Sequence, residues 1–290
     1  MTMAYLETLI NGILLGGLYG IFGLGLALVF GVMRVINVAH GEFIVAAAFL
    51  ATMILTPFVG LDPLWTVLPV AGVAFLVGYA FQTMLLNKVV QSGDMLAPML
   101  VTFGVSIVLR NLMLALFGSN PMALKTGQLA QASFSVGGIH IGVLPLLTLA
   151  VSVALFAALQ YAIGRTAFGK TVRATADNPE IVRLMGVNPK RVYAMVMGVS
   201  VMMAAIAGVL LAMRTSFSAS SGVDRILIAF EVVVLGGLGS FWGALLAGVL
   251  LGVVQLMSFR FDANSGLLYP HLLFFAFLVL RPNGIFGARA

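Results

Sequence analysis

The sequence predicts an all-α fold, a polytopic integral membrane helical bundle with seven to nine crossings. Of its 290 residues, 61% are hydrophobic and only 8% are charged, whereas a soluble domain carries roughly 25% charged residues. The mean hydropathy is +1.14, and a soluble domain of this length has too little interior to hide so many apolar side chains. The 33 glycines suit close helix packing in lipid. We therefore expect one transmembrane domain over residues 1–290.

Eight apolar runs supply the predicted membrane helices, and one of them must break. A crossing needs about 20 apolar residues, but the run 226–258 has 33. As one helix it would be about 50 Å long, against a hydrocarbon core of about 30 Å. We expect a break at 236–240 (GGLGS), which gives two short crossings or a re-entrant pair. The other runs are 8–33, 43–58, 65–86, 96–117, 141–163, 193–213 and 267–280.

Glycines recur at every fourth position in three places. This spacing puts them on one face of a helix, where small residues let two helices approach closely. We expect them to pack helices together rather than to bind a ligand. The three strips are Gly12, Gly16 and Gly20; Gly239 and Gly243; and Gly248 and Gly252.

The distribution of lysine and arginine predicts the orientation, because cytoplasmic connections carry an excess of both. With the N-terminus outside, ten basic residues fall on the cytoplasmic side and four on the other. The net charge of +6 is then explained by orientation, and no basic stripe on a soluble face indicates nucleic-acid binding. The ten are Arg34, Lys88, Arg165, Lys170, Arg173, Arg183, Lys190, Arg191, Arg281 and Arg289; the four are Lys125, Arg214, Arg225 and Arg260.

The longest polar connection, 164–192, predicts a short helix on the cytoplasmic side. Asn178 suits the N-cap, Pro179 suits the first helical position, and Glu180 suits the positive end of the helix dipole. The connection holds six of the fifteen basic residues, but these start signals argue against disorder. We therefore expect an ordered element between two membrane spans.

This short helix has one apolar face, formed by Ile181, Leu184 and Met185, and Gly186 suits its end. A second start signal, 188–189 (Asn-Pro), leads directly into the next span. A partner that moved the short helix would therefore move the span. Alternatively, the apolar face lies on the bilayer surface.

Four stretches of the sequence resemble the branched-chain amino acid permeases of ABC transporters. The segment 174–191 (ATADNPEIVRLMGVNPKR) is similar to the coupling loop of that family. The segments 35–43 (VINVAHGEF), 236–245 (GGLGSFWGAL) and 281–287 (RPNGIFG) are similar to other parts of it. The resemblance is closest to the shorter of the two permease subunits of the high-affinity branched-chain amino acid uptake system.

The resemblance implies a complex in a bacterial inner membrane. Two ABC ATPase subunits would dock on the coupling helices, a second related permease would complete the membrane part, and a periplasmic substrate-binding protein would deliver branched-chain or related amino acids. ATP and Mg would be bound by the ATPase subunits, so this chain would hold no cofactor. The residues carried over as the ATPase contact are Asn178, Pro179, Glu180, Ile181, Arg183, Leu184, Met185, Gly186 and Val187.

The segment 164–171 (GRTAFGKT) matches the phosphate-binding pattern G-x-x-x-x-G-K-[ST]. That pattern binds phosphate where a buried strand precedes the loop and a helix follows it. Here a predicted membrane helix precedes it, so we expect a chance match. The three histidines lack a metal-ligand spacing, and no nucleophile–base pair is apparent. We therefore expect a transporter subunit with no catalytic and no metal site.

Polar groups inside the spans mark candidate positions along a transport pathway, because a charge at the bilayer centre costs about 2.5–3.5 kcal/mol. Asn37, His40 and Glu42 could instead form an interfacial loop, and Glu231 could form an ion pair near the outer surface. Arg110 could pair with Glu231 or extend towards the membrane surface. The pathway candidates are Asn37, His40, Glu42, Glu231, Gly236, Gly237, Gly239 and Ser240.

Two further functions compete with an ATP-driven importer subunit. Glycine-interrupted spans are also typical of secondary transporters driven by protons or sodium. An intramembrane enzyme would need a catalytic pair that the sequence does not provide. The connection 164–192 discriminates, because a secondary transporter needs no docking helix.

Overall fold

The computed structural model describes residues 2–60, 62–90, 96–126, 129, 132–281 and 283–286, and it confirms a helical polytopic membrane fold. Arg289 and part of the segment 281–287 lie outside the described residues. The helices are α1 (Thr2–Met33), α2 (His40–Phe49, continued by a π-helical turn, Leu50–Leu55, and by Thr56–Val59), α3 (Val67–Phe81, continued by a π-helical turn, Gln82–Leu86, and by Asn87–Val89), α4 (Leu96–Phe117), α5 (Val143–Arg165), α6 (Ala167–Asp177), α7 (Pro179–Leu184), α8 (Pro189–Arg214), α9 (Gly222–Gly236), α10 (Phe241–Phe261) and α11 (Leu268–Leu280).

Six helices in the described part of the chain are long and apolar enough to cross a membrane: α1, α3, α4, α5, α8 and α10. Three shorter helices, α2, α9 and α11, lie beside them. The predicted number of seven to nine crossings is therefore reached only when these shorter helices are included. α1 and α8 are the most buried of the six, so they form the centre of the bundle.

Glycine lets α1 and α10 pack in direct backbone contact. A Cβ on Gly16 would lie 2.3 Å from Val249 Cα, and a Cβ on Gly248 would lie 2.5 Å from the Gly20 nitrogen. Two of the predicted strips, on α1 and on α10, thus face each other. The third prediction was wrong, since Gly239 precedes the start of α10 and shares no helix with Gly243.

The predicted break at 236–240 is present as a tight turn between α9 and α10. Gly237 and Gly239 have φ of +98° and +85°, a conformation that favours glycine. Gly239 lies beside Gly31 near the end of α1, so the turn is at one end of the bundle. We call this end, which also carries the α5–α8 connection, the basic end. The re-entrant alternative is therefore not what the chain adopts here.

The chain returns into the bundle between α1 and α2. Arg34 ends α1 with φ of +54°, and residues 35–39 then lead back alongside the bundle interior. α2 begins at His40, whose Nε2 lies 3.0 Å from the carbonyl oxygen of Phe22, well inside α1. This path carries three polar candidates away from the membrane surface.

A small β-hairpin lies before α5, and the sequence did not predict it. Strands β1 (Ser133–Val136) and β2 (Ile139–Gly142) pair antiparallel, with Val136 opposite Ile139. Gly137 and Gly138 have φ of +58° and +84°, as a two-residue hairpin turn requires. The membrane helix therefore starts at Val143 rather than at residue 141.

Candidate functional site

Asn37, His40 and Glu42 are buried inside the bundle, and Glu42 is only 2% exposed. The Asn37 side chain accepts a hydrogen bond from the Ala39 nitrogen at 3.1 Å, which fixes the entry to α2. Its amide also donates to the Met197 sulfur on α8 at 3.6 Å. The alternative of an interfacial loop was wrong, because residues 35–39 fold back between α1, α4 and α8.

Glu42 pairs with Arg110 of the neighbouring helix α4. Nε of Arg110 donates to Oε1 of Glu42 at 3.3 Å, and the other carboxylate oxygen, Oε2, is buried without a hydrogen-bond partner among the described residues. α4 follows α2 in the same direction, with Thr102 accepting from the Val38 nitrogen at 3.1 Å. The predicted alternative of an Arg110–Glu231 pair was wrong, because Arg110 pairs with Glu42 and Glu231 pairs with another residue.

Glu231 instead pairs with His271 of α11. Oε1 of Glu231 lies 2.5 Å from Nδ1 of His271. Glu231 is buried at 2% exposure, whereas the His271 side chain is 40% exposed, so the pair reaches from the bundle interior to its exterior and the alternative of an ion pair near the outer surface stays a prediction.

Tyr19 and Gln255 complete this second polar group. The Tyr19 hydroxyl donates to Oε1 of Gln255 at 2.5 Å. Both residues, together with Glu231 and His271, line a cavity of about 30 Å³, which has room for a water molecule. Sequence reasoning missed Tyr19, Gln255 and His271. The only available signal was a polar side chain within an apolar run, which does not reveal its partner.

The glycine turn forms a third and separate place. Oγ of Ser240 accepts a hydrogen bond from the Gly243 nitrogen at 3.2 Å and caps α10. The Ile285 nitrogen donates to the Leu235 carbonyl at 2.8 Å, so the segment 283–286 closes over the turn. The structure thus does not bring Gly236, Gly237, Gly239 and Ser240 together with Asn37, His40 and Glu42, and their pathway role stays a prediction.

The predicted helix start in the connection is present as α7. Oδ1 of Asn178 accepts hydrogen bonds from the nitrogens of Glu180 and Ile181 at 3.0 and 3.1 Å. Gly186 has φ of +85° and ends the turn that follows α7. Oδ1 of Asn188 then accepts from the Lys190 nitrogen at 3.0 Å and caps α8. Both local predictions for this connection are therefore confirmed.

α7 presents its apolar side chains away from the bundle. Leu184 is 87% exposed and Met185 is 77% exposed, whereas Val182 is buried and anchors the helix. A groove of about 850 Å³ lies beside α7 at the basic end. Because several members of the predicted contact set border this groove, the surface can accept a protruding element of a partner. The residues that line the groove are Val90, Pro179, Glu180, Arg183, Gly186, Val187, Asn188, Pro189, Lys190 and Tyr193.

A family model described as branched-chain amino acid transport system / permease component matches residues 8–280. The chain belongs to this family of permeases. The permease is similar to BraD of the high-affinity branched-chain amino acid transport system of Pseudomonas aeruginosa, with 30% identity over 98% of this chain and 96% of that protein. It is also similar to LivH of Escherichia coli K12, with 28% identity over the same shares.

One further relative is a longer protein than this permease. LivM, another permease protein of the Escherichia coli high-affinity branched-chain amino acid transport system, is 27% identical over 92% of this permease and 67% of its own length. No solved structure matches the chain. The resemblance seen in the sequence, to the shorter type of permease subunit, is therefore confirmed by full-length relatives.

In this permease the phosphate-binding pattern has the wrong context. α5 ends at Arg165 and α6 begins at Ala167, so a helix and not a strand precedes the pattern. Thr166 caps α6 by accepting a hydrogen bond from the Gly169 nitrogen at 3.1 Å. Gly169, the second glycine of the pattern, thus belongs to a helix start. Among the described residues, no group of three histidine, cysteine or acidic side chains could hold a metal ion.

Proposed function

We propose that this permease is the membrane-spanning subunit of an ATP-driven importer that carries branched-chain or related amino acids. The observation that carries the proposal is the exposed α7, which is capped at both ends and joined directly to the central helix α8. Exposed leucine and methionine side chains beside a groove suit a protein partner. ATP hydrolysis, with its ATP and Mg, belongs to two ATPase subunits, which dock on the coupling helices of the two permeases.

Motion of α7 reaches the buried polar groups through α8. Four residues separate the end of α7 from the first residue of α8, and Asn188 fixes that junction. Further along α8, the Ser200 hydroxyl donates to the Gly25 carbonyl of α1 at 2.7 Å, and a Cβ on Gly208 would lie 2.0 Å from the Ile44 carbonyl oxygen of α2. A shift of α8 therefore has to displace α1 or α2, because helices packed this closely cannot move independently.

Location and partners complete the proposal. The basic end faces the cytoplasm of a bacterial cell, since lysine and arginine concentrate there, so the N-terminus is periplasmic. LivM is a second permease protein alongside LivH in the same Escherichia coli system, which supports a second, related permease as the partner in the membrane. A periplasmic binding protein supplies the substrate at the opposite end.

The test compares polar and apolar side chains on α7. Leu184→Asp and Met185→Asp put a charge into the proposed ATPase contact and should reduce uptake to below about a tenth, because a buried unpaired charge costs several kcal/mol. Membrane insertion should not change, since both side chains are exposed. The measurement is ATP-driven leucine uptake and ATPase co-purification for the complete transporter in proteoliposomes.

Leu184→Met is the matched control and should transport as the unaltered protein does. Normal uptake and normal ATPase co-purification by the two aspartate variants would contradict the assignment of α7. Uphill transport by the isolated permease on a proton or sodium gradient would favour a secondary transporter instead.

A further inference from the structure

The Arg110 guanidinium lies on the membrane-embedded outer side of the bundle. Arg110 is seven residues before the end of the 22-residue helix α4 at residue 117, and its side chain is 36% exposed. Most neighbouring side chains on α4 are exposed and apolar, including Phe103, Ile107 and Leu114. A guanidinium facing lipid at this depth is unfavourable, so it faces a partner or a water-filled passage.

Glu42 holds this guanidinium by one edge only. Nε of Arg110 makes the hydrogen bond to Glu42, and it is the one hydrogen bond of the Arg110 side chain among the described residues. Glu42 itself cannot reach further out, because its carboxylate packs against Gly222, where a Cβ would lie 2.3 Å from Oε2. The two Nη nitrogens of Arg110 thus remain available on the exposed side.

The free edge of a guanidinium is a fork of N–H donors that matches the two oxygens of a carboxylate. An ammonium group from lysine would supply the charge but not this fork. Glu42 also offsets the positive charge of Arg110, so an anion bound there can leave again. These features suit a transient carboxylate contact more than a permanent one.

We propose that Arg110 binds the α-carboxylate of the transported amino acid, and that Glu42 is the positioning residue that orients it. This inference rests on the proposed function and deepens it. It assigns the permease to solutes that carry a carboxylate, and it sets amides and urea apart because they lack one. The side chain of the amino acid makes no contact in this assignment, which leaves its selection to other residues.

The experiment uses the complete transporter in proteoliposomes, with its ATPases, second permease and binding protein. Arg110→Gln should lower leucine uptake at least about tenfold, since a hydrogen-bonded charge contact is worth that much. Leucine uptake by the Arg110→Lys complex should lie between that of Arg110→Gln and that of the unaltered transporter. ATP hydrolysis stimulated by the loaded binding protein should stay within about twofold, as the contact with α7 is unchanged. Asn111→Gln changes the next residue of α4, whose exposed side chain donates to the Ile107 carbonyl of the same helix; it is the matched control and should transport normally.

The double variant Glu42→Gln with Arg110→Gln separates recognition from structure. Two glutamine amides can keep a hydrogen bond between α2 and α4 without either charge, so a purely structural role predicts restored uptake. Carboxylate binding predicts that uptake stays low. On the unaltered complex, leucinamide, which lacks the carboxylate, should compete with radiolabelled leucine at least about tenfold more weakly than unlabelled leucine does. On the Arg110→Gln complex, leucinamide and unlabelled leucine should compete equally weakly.

Three results would overturn the inference. The first is normal uptake by Arg110→Gln, and the second is restored uptake by the double variant. The third is loss of the second permease from purified Arg110→Gln complexes, which would assign Arg110 to a carboxylate of that subunit. Absence of ATP-driven uptake by the unaltered complex would instead overturn the proposed function, and the inference with it.

Discussion

Glu42 and Gly222 occupy one small space between α2 and α9. The missing side chain of Gly222 is what admits the carboxylate of Glu42, and the carboxylate in turn holds Arg110. Glycine is required here by close approach and not by its backbone conformation, because no positive φ is found at this position. The sequence marked Glu42 as a polar group in an apolar region, but nothing in it marked Gly222.

We expect Gly222→Ala to disturb transport more than stability. The new methyl group would meet the end of the Glu42 side chain, which can move, so the pair with Arg110 shifts while the helices stay in place. Leucine uptake should fall severalfold, and the melting temperature in detergent should change by no more than a few degrees. A loss of folded protein, rather than of uptake, would contradict this account.

The helix pair α1 and α10 shows how an element-level pattern becomes a contact. Glycines at every fourth position predicted close packing, and two of the three strips meet across this pair. The pattern failed at Gly239 because spacing alone does not say where a helix starts, and Ser240 caps α10 one residue later. Helix caps and breaks were predictable where a local signal such as Asn-Pro was present, as at the starts of α7 and α8.

Gly16→Ala and Gly104→Ala form a matched pair that tests this packing. A Cβ on Gly16 meets backbone of α10 at 2.3 Å, whereas a Cβ on Gly104 of α4 meets nothing within 4 Å. Gly16→Ala should therefore be destabilised by about 1–3 kcal/mol, as overpacked cores are, and Gly104→Ala should be unchanged or slightly more stable. Thermal unfolding in detergent measures both. Equal stability of the two variants would contradict direct α1–α10 backbone contact.

The whole molecule has two chemically distinct ends. The described basic residues cluster where α1 ends, beside the α5–α8 connection and the glycine turn, and few lie at the opposite end near the start of α1 and the end of α10. This asymmetry is a property of the assembled bundle, although its cause is the charge count in the connections. It is the basis for the proposal that α7 faces the cytoplasm.

Single cysteines can test that orientation, because the chain has none of its own. Leu184→Cys and Phe261→Cys are both well exposed, at 87% and 75%, and they lie at opposite ends. In intact spheroplasts, a membrane-impermeant maleimide should label Phe261→Cys at once and Leu184→Cys only after permeabilisation. The reverse pattern would place the basic end outside.

The sequence by itself determined the features that depend on neighbouring residues: the apolar spans, the break at 236–240, and the caps at Asn178 and Asn188. The tertiary structure decided which buried charges pair. Glu42 meets Arg110 across 68 positions, and Glu231 meets His271 across 40. Such pairs follow from how the helices pack and how deep in the bundle α2 begins, which spacing along the chain does not reveal. Local chemistry fixes where a helix starts and ends, whereas only packing fixes which face of it meets another.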